Sequence, residues 1–395
     1  VTITANAQTR HYGDVNPTLT YVIGGDLLAN GDSLSGGLTT LASLTSNVGD
    51  YDITQGTLTD SNNTNYAIAF TQNTLSVSAR PITITANAQS RHYGDANPTL
   101  TYVVGGDGLV NSDTLSGGLT TLAGLTSNVG DYDITQGTLT DSNNTNYDIT
   151  YTQGTLSVSA RPMSITANAQ TRNYGDANPT LSYVIGGEGL TNSDTLTGGL
   201  TTLASLTSNV GNYDITQGTL AASSNYDLTY VTGTLSVSAR PITITTNAQS
   251  RHYGDVNLTL SYVIGGDGLA NSDALTGGLT TAASASSNVG GYDITQGTLA
   301  DTNGYTINFV GGNFVVSPKA LIITGITASN KTYDALTAAT LNTGSAALSG
   351  VVSGDTVTLD TSAATGSFAN ANAGTGKAVT ISGNTIGGAD SGNYS

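Results

Sequence analysis

One phrase of about 23 residues recurs four times in this chain, and its recurrence constrains the fold more than any other feature. It reads "ITANAQTRHYGDVNPTLTYVIGG" from Ile3 and returns with small changes at Ile84, Ile165 and Ile244, so the period is 81, 81 and 79 residues. A divergent fifth unit follows from about Leu321. Such a period is too long for a solenoid repeat and suits a string of small domains, each with its own core. We therefore expect five modules, at 1–80, 81–161, 162–240, 241–318 and 319–395.

The residue pattern inside a module indicates β-structure. In "TLSVSA", from Thr74 to Ala79, apolar and polar side chains alternate, as they do along a half-buried strand. The segment Tyr147 to Ala160 reads as two such strands with a turn at Gln153-Gly154, which predicts a hairpin. We expect six short strands per module and one turn of helix within Asp107 to Leu115. The spacing of these strands also allows an immunoglobulin-like sandwich.

The joints between modules are short. "SVSARPITIT" at Ser76–Thr85 carries the last strand of one module into the first of the next through little more than Ala-Arg-Pro. Proline fixes its own backbone and holds the preceding residue extended, and a linker this short cannot swivel freely. The sequence therefore predicts a rod-shaped array.

Charge and composition exclude several classes of partner. The chain holds 27 acidic residues against 10 basic ones, for a net charge of −17, whereas nucleic acids and anionic membranes require a basic surface. No stretch approaches the ~20 apolar residues of a membrane span. Cysteine is absent, so disulfides and thiolate metal sites are excluded. We expect neither nucleic-acid binding nor membrane insertion by this segment.

The motifs "YGDxNPTLTY" and "GTLSVSAR" of the first four modules resemble those of MBG domains, which are mostly-β, Gly-rich modules. The fifth module resembles a YDG domain in "SNKTYDALTAATL" from Ser329 and in "GADSGNYS", although Ala335 stands where that family has the glycine of its Tyr-Asp-Gly motif. The resemblance implies a β-grasp-like fold. It also implies an origin in bacterial surface adhesins of the filamentous-haemagglutinin type, and hence an extracellular location at the cell surface.

The phrase "RHYGD" contains the strongest candidates for catalytic residues, namely Arg10, His11, Tyr12 and Asp14. The third copy replaces the histidine with Asn173, which cannot take up a proton near neutral pH. Gly, Asp, Asn and Pro in this order are typical of a turn, with the tyrosine ring packed and its hydroxyl in water. We predict a structural role for the phrase, no catalytic residues, and a protein that is not an enzyme.

Two loops rich in oxygen ligands could bind a hard cation. They contribute Asp107 and Asp113 in "GDGLVNSD", and Asp141 and Asp148 in "DSNNTNYD", which are candidate calcium ligands. The spacing fits neither an EF-hand nor a nonapeptide repeat, and ordinary Asx turns explain the same residues. We expect no metal site and no cofactor, with calcium at these four residues as the alternative.

These observations lead us to expect a stalk or fibre shaft of a bacterial adhesin-like protein. Its partners would be neighbouring modules of the same chain and other copies in a filament. An adhesive array that binds glycans or another surface receptor, with or without calcium, is the alternative. The fifth module stops at Ser395, before the equivalent of Ala67 to Arg80, so we expect an excerpt of a longer protein or completion by a strand from another chain.

Overall fold

The computed structural model describes residues 1–301 and 304–395. The regular secondary structure elements in these residues are β-strands joined by turns and loops, apart from short 3-10 turns at Asp60–Asn62, Asp141–Asn143 and Ser391–Asn393. The prediction of tandem β modules is confirmed. Within the same residues, no helix has the length and apolar character needed to span a membrane.

Each of the first four modules contains seven strands, one more than the sequence indicated. The strands of module 1 are β1 (Thr2–Ala5), β2 (Gln8–His11), β3 (Tyr21–Gly24), β4 (Thr39–Thr40), β5 (Gly49–Thr54), β6 (Ala69–Thr71) and β7 (Asn73–Ser78). Those of module 2 are β8 (Arg80–Ala86), β9 (Gln89–His92), β10 (Tyr102–Gly106), β11 (Thr120–Thr121), β12 (Gly130–Thr135), β13 (Tyr147–Thr152) and β14 (Gly154–Ser159).

Modules 3 and 4 repeat this order. Module 3 is built from β15 (Arg161–Ala167), β16 (Gln170–Asn173), β17 (Tyr183–Gly187), β18 (Thr201–Thr202), β19 (Gly211–Thr216), β20 (Tyr226–Val231) and β21 (Gly233–Ser238). Module 4 is built from β22 (Arg240–Thr246), β23 (Gln249–His252), β24 (Tyr262–Gly266), β25 (Thr280–Thr281), β26 (Gly290–Thr295), β27 (Tyr305–Val310) and β28 (Gly312–Ser317).

Module 5 has a different set of shorter strands. They are β29 (Ile322–Thr324), β30 (Thr327–Ala328), β31 (Ala338–Ala339), β32 (Leu341–Asn342), β33 (Ala347–Ser349), β34 (Thr358–Asp360), β35 (Thr365–Phe368), β36 (Val379–Ser382) and β37 (Thr385–Gly387). Antiparallel pairs join β29 to β33, β30 to β32 and β34 to β37, and β35 lies between β31 and β36.

Two mixed sheets form each of the first four modules. In module 2 the three-stranded sheet has the order β10-β8-β13, and the four-stranded sheet has the order β11-β12-β14-β9. The pairs β8–β13 and β9–β14 are parallel, and the others are antiparallel. Immunoglobulin-like sandwiches are built from two antiparallel sheets, so the parallel pair in each sheet departs from that alternative.

The predicted hairpin is wrong. Strand β13 pairs with β8 in one sheet, whereas β14 pairs with β12 and β9 in the other, so the chain changes sheets at Gln153. The backbone is tight at this crossing, because a Cβ on Gly154 would lie 2.8 Å from the Ala86 carbonyl oxygen. Alternating side chains fit either arrangement, so local pattern alone could not choose the partner.

The helical turn expected within Asp107 to Leu115 is also wrong. Asn111 and Ser112 adopt left-handed φ angles of 52° and 63°, which a right-handed helix cannot contain. The 3-10 turn lies instead at Asp141–Asn143, where the Asp141 carboxylate accepts a hydrogen bond from the Ile149 amide at 2.8 Å.

The hydrophobic core continues from one module into the next. Along β8 the inward side chains are Ile82, Ile84 and Ala86. Ala86 packs within module 2, in a cluster with residues of its four-stranded sheet. Ile82 and Ile84 pack instead in a cluster that includes Tyr12 and Val77 of module 1. Neighbouring modules therefore share a buried core at their junction.

The chain divides into two compact units, and the division falls inside module 3. Unit 1 comprises residues 1–167, 183–200 and 217–232, and unit 2 comprises 168–182, 201–216 and 233–395. The three-stranded sheet of module 3 belongs to unit 1 and its four-stranded sheet to unit 2. The junctions between modules 1 and 2 and between modules 2 and 3 thus lie in unit 1, and the other two lie in unit 2.

Candidate functional site

The junctions between consecutive modules hold the most strongly repeated group of aromatic and charged side chains in the molecule. At the first junction only Ala79 separates β7 from β8. The ring of Tyr12, 4% exposed, meets the ring of Tyr147 edge to face, with centroids 5.7 Å apart and planes at 78°. Such a pair contributes about 0.5–1.5 kcal/mol beyond its buried area.

The hydroxyl of Tyr147 is buried and both donates and accepts a hydrogen bond. It donates to Oδ2 of Asp113 at 2.7 Å and accepts from the Val110 amide at 3.2 Å. Burial is the main cause, and together with the hydrogen bond to Asp113 it raises the pKa of Tyr147 to about 12. The ring therefore stays neutral at any physiological pH.

Arg80 ties the two modules together with charge and hydrogen bonds. Its Nη1 donates to Oδ1 of Asp14 at 2.8 Å and to the Tyr12 carbonyl at 3.2 Å. Its Nε donates to the Gly108 carbonyl at 3.1 Å, and its Nη2 to the Asp107 carbonyl at 2.9 Å. The planar guanidinium thus spans the turn of module 1 and a loop of module 2, which a flexible ammonium would do less rigidly.

Close packing and further hydrogen bonds also join the two modules at the first junction. Gly13, with φ of 80°, lies against Val110, and any Cβ at this position would clash with the valine. Asn146 accepts from the Val48 amide at 3.1 Å and donates to the side-chain oxygen of Asn47 at 3.0 Å. The two modules are therefore joined by side-chain and backbone contacts in addition to the covalent linker at Ala79.

The same constellation returns at the other junctions. The tyrosine pairs, with their centroid separations, are Tyr93–Tyr226 at 5.6 Å, Tyr174–Tyr305 at 5.4 Å and Tyr253–Tyr394 at 5.5 Å. The arginine–aspartate pairs are Arg161–Asp95 at 2.8 Å and Arg240–Asp176 at 2.6 Å. Lys319 takes the arginine's position at the fourth junction, where its backbone pairs with Tyr394.

A family model described as the MBG domain (YGX type) matches residues 1–76, 82–157, 163–236 and 242–315, which is more than half of the chain. The chain belongs to the MBG domain family. A YDG domain follows at residues 317–395, as the motifs of the fifth module indicated. Neither is a known enzyme family.

Other comparisons add little to this. No curated protein matches the chain. Among solved structures, a crystal structure of the I9–I11 tandem from titin matches at 10% identity with a TM-score of 0.18, covering 59% of this chain and 97% of that one. A similarity this low carries no argument about fold or function.

The phrase "RHYGD", or "RNYGD" in the third copy, forms one side of every junction between MBG modules. The turn prediction is confirmed, since the Asp14 amide donates to the His11 carbonyl at 3.1 Å and Gly13 is left-handed. The tyrosine is more buried than expected, and its ring belongs to the shared core. Arg10, also buried, fastens the turn from within through bonds to Asn16 and to the Ser43 carbonyl at 2.8 and 2.5 Å.

The histidines of this phrase contact residues across or within the linkers. Nδ1 of His11 lies 3.1 Å from the Ala79 carbonyl, and that of His252 lies 3.0 Å from the Pro318 carbonyl. His92 instead lies 2.9 Å from the carboxylate of Glu188 in the third MBG module. In each case the imidazole contacts a residue at a junction, and the structural role of the phrase stays a prediction.

One group of possible metal ligands occurs among residues 1–301 and 304–395. His92, Asp95 and Glu188 place ligand atoms within 4.8 Å of one another at the second junction. Arg161 already bonds this group, since its Nη1 lies 2.8 Å from Asp95 and 3.5 Å from Glu188. The guanidinium lowers the pKa of Asp95 through its hydrogen bond. A resident positive charge opposes a second cation at the same carboxylates.

The four candidate calcium ligands serve other contacts. Asp113 binds the hydroxyl of Tyr147, and the Asp141 carboxylate binds the Ile149 amide. Asp107 offers its carbonyl to Arg80, whereas Asp148 lies with Asp141 beside His11 on an open cleft. The structure does not gather these residues into one group. The absence of a metal site stays a prediction, with calcium as its untested alternative.

Proposed function

We propose that this chain is a stalk or shaft segment of an extracellular bacterial adhesin-like protein, structural rather than catalytic. Its MBG and YDG modules and its all-β fold support this proposal. The observation that carries it is the repetition of one rigid junction between successive modules, described above. A chain that only displayed independent binding domains would have no need to bury an aromatic pair at every linker.

Stiffness at a junction has a clear physical origin here. Flexible linkers are rich in glycine and serine and leave their neighbours uncoupled. At the first junction, bending the backbone about Ala79 would separate Tyr12 from Tyr147 and pull Arg80 from Asp14. Bending that separates the two modules therefore has to break an aromatic contact, an ion pair or both. Such a junction keeps two modules at a fixed angle.

Spin labels can test this stiffness directly, because the chain has no cysteine of its own. Leu41 and Leu122 occupy the same position in the first two MBG modules and are 94% and 97% exposed. The double variant Leu41→Cys/Leu122→Cys, labelled with nitroxide, should give a narrow distance distribution by pulsed electron resonance. Adding Arg80→Ala should broaden it. A broad distribution in the parent would contradict the proposal.

The rod expected from the sequence stays a prediction of this proposal. A module of about 80 residues has a diameter of roughly 30 Å, so five modules end to end give about 150–200 Å. Small-angle scattering of the whole chain measures this dimension. A maximum dimension below about 90 Å, or a broad ensemble of shapes, would be incompatible with a shaft.

A further inference from the structure

The YDG module contains a cleft that the junctions do not explain. It has a volume of about 500 Å³ and lies between the loops 328–336 and 368–379. This volume falls in the usual range for small-ligand pockets. Most lining residues are polar, including Ser329, Asn330, Asn372 and Thr375.

Two of the three lysines of the chain line this cleft. All seven arginines lie in MBG structures already described: three are junction residues, and Arg10, Arg91, Arg172 and Arg251 are buried inside modules. Of the three lysines, Lys331 and Lys377 line the cleft. On a chain with a net charge of −17, two lysines beside a single aspartate give the cleft a local positive charge that favours an anion.

Lys377 retains capacity to bind a ligand. Its Nζ donates to the carbonyl of Asn370 at 3.1 Å and to the side-chain oxygen of the same residue at 2.8 Å. An ammonium has three protons, so one is left to donate. Across the described part of the chain, no carboxylate forms an ion pair with Lys377, so its charge is not neutralised.

Lys331 forms several contacts with other residues that line the cleft. Its Nζ lies 2.9 Å from Oδ1 of Asp334, donates to the Leu336 carbonyl at 2.9 Å, and sits 5.7 Å from the centre of the Phe368 ring. The Leu336 amide donates to Asp334 at 3.0 Å, which closes a tight turn. Ala335 within this turn adopts a left-handed φ of 64°, a conformation that costs an alanine roughly 1 kcal/mol.

This constrained turn holds an aromatic ring in solvent. Tyr333 lines the cleft and is 66% exposed, whereas the four tyrosines of the "YGD" turns are buried. An exposed tyrosine ring presents a flat apolar face to a ligand at low cost in side-chain entropy, since it has only two side-chain torsions to order. The Tyr333 ring, the ammonium of Lys377 and the surrounding amides and hydroxyls all line the same cleft.

We propose that the YDG cleft binds a carboxylated sugar of an acidic glycan. The Tyr333 ring stacks on the apolar face of a pyranose, and Lys377 binds the carboxylate. The amides of Asn330 and Asn372 and the hydroxyls of Ser329 and Thr375 supply partners for sugar hydroxyls. A peptide would favour more apolar pockets for its side chains than this lining offers. The segment would then carry a ligand site as well as act as a shaft.

The test uses the whole chain and a hyaluronan tetrasaccharide, with its carboxyl-reduced form as the neutral match. Saturation-transfer NMR and calorimetry should detect the acidic ligand and show the reduced form at least roughly tenfold weaker. Lys377→Gln should weaken acidic binding by about fivefold or more, and Tyr333→Ala should weaken both ligands. Lys319→Gln is the control, since it removes a lysine outside the cleft, and should change affinity less than about twofold.

Several results would overturn the proposal. These are no binding at ~5 mM ligand, equal affinity for both tetrasaccharides, or unchanged affinity in Lys377→Gln. Acetate that displaces the tetrasaccharide at equal concentration would show an anion site without sugar recognition, which also contradicts it. Melting temperatures within about 2 °C of the parent confirm that each variant is folded. The spin-label experiment on Leu41 and Leu122 is independent of all these outcomes, so failure here leaves the shaft proposal intact.

Discussion

Tyr12 and Tyr147 lie 135 residues apart in sequence, yet their rings meet edge to face at 5.7 Å in the core shared by two MBG modules. The equivalent tyrosine in module 1 is Tyr66, which is only half-buried and whose hydroxyl binds Asp32. The same position thus serves a junction in one module and a partly exposed surface in another. This difference allows the contribution of a junction to be measured against an internal control.

We predict that Tyr147→Ala destabilises the first junction by about 3–5 kcal/mol, because it removes a buried aromatic ring from a packed cluster. Tyr147→Phe should cost about 1–1.5 kcal/mol, the value of the hydrogen bond to Asp113. Hydrogen exchange of β8 and β13 measures both. Tyr66→Ala is the matched control and should have a clearly smaller effect. Equal effects at Tyr66 and Tyr147 would show that the ring pair is unimportant.

Alkaline pH should loosen the junctions. Burial raises the pKa values of Tyr147, Tyr305 and Tyr394 to about 12, above the value of about 10 in an unfolded chain. Between these values the unfolded state loses a proton that the folded state retains, so the stabilisation is complete below pH 10 and disappears as pH rises towards 12. Melting temperatures from pH 8 to 12 should fall, and Tyr147→Phe should fall less steeply. A pH-independent melting temperature over that range contradicts this assignment.

The opposite dependence is expected at the second junction in acid. Arg161 lowers the pKa of Asp95, so this carboxylate stabilises the fold above the unfolded pKa of about 4, and the stabilisation is lost as pH falls through the lower, folded value. Asp95→Asn should therefore lower the melting temperature at pH 6 more than at pH 2.5. A difference that stays constant with pH would mean that the charge is not involved.

Because the second junction is closely packed, substitution of alanine should destabilise the protein more at Gly94 than at Gly189. Gly94 is left-handed with φ of 82°, and a Cβ there would clash with Thr191. Gly189 is also left-handed, with φ of 69°, but has open space around it. Gly189→Ala should cost only the backbone strain of about 1 kcal/mol, whereas Gly94→Ala should cost a further 1–3 kcal/mol approximately. Urea denaturation compares them, and similar losses would show that the two modules can separate slightly without penalty.

Chelation should have no effect on the stability of the chain. Asp113 and Asp141 already accept hydrogen bonds, and Arg161 occupies the carboxylates beside His92. Thermal melts with EDTA and with 5 mM calcium should agree within about 2 °C, because a ligand that binds only the folded state would raise the melting temperature. A large downward shift with EDTA would support the calcium alternative.

The repeat and the alternating strands were sufficient to predict five β modules, because period and local pattern are properties of neighbouring residues. The partner of each strand was not predictable in the same way. Strand β13 alternates Tyr147, Ile149 and Tyr151, and this pattern suits pairing with β14 as well as with β8. The partner is chosen by contacts between residues far apart in sequence, such as Ile149 opposite Ile82 in the β8–β13 pair.

The junction residues were missed for a related reason. Asp14 and Arg80 stand 66 residues apart, and the sequence attributed the stiffness of the linker to Pro81 and to its short length. A usable signal was present, since only 9% of the residues are charged and every arginine before a linker proline has an aspartate in the preceding "YGD" phrase. When a chain has so few charged residues, an arginine and an aspartate that recur together in successive modules are expected to contact each other. No repeated pattern in the sequence indicated the YDG cleft, because its lysines lie in loops that occur only once.

The placement of the linker strands determines how the segment would respond to a pulling force. At the first junction, tension enters through β7 and β8, and each is an interior strand with hydrogen-bonded neighbours on both sides. One neighbour of each runs parallel to it, β2 beside β7 and β13 beside β8. A force along these strands pulls them lengthwise past their neighbours, which places the backbone hydrogen bonds between the strands in shear. These hydrogen bonds then share the load and must break together, not one at a time. Rupture would then require a high force, while thermal stability could remain ordinary, because forced unfolding is governed by the unfolding rate.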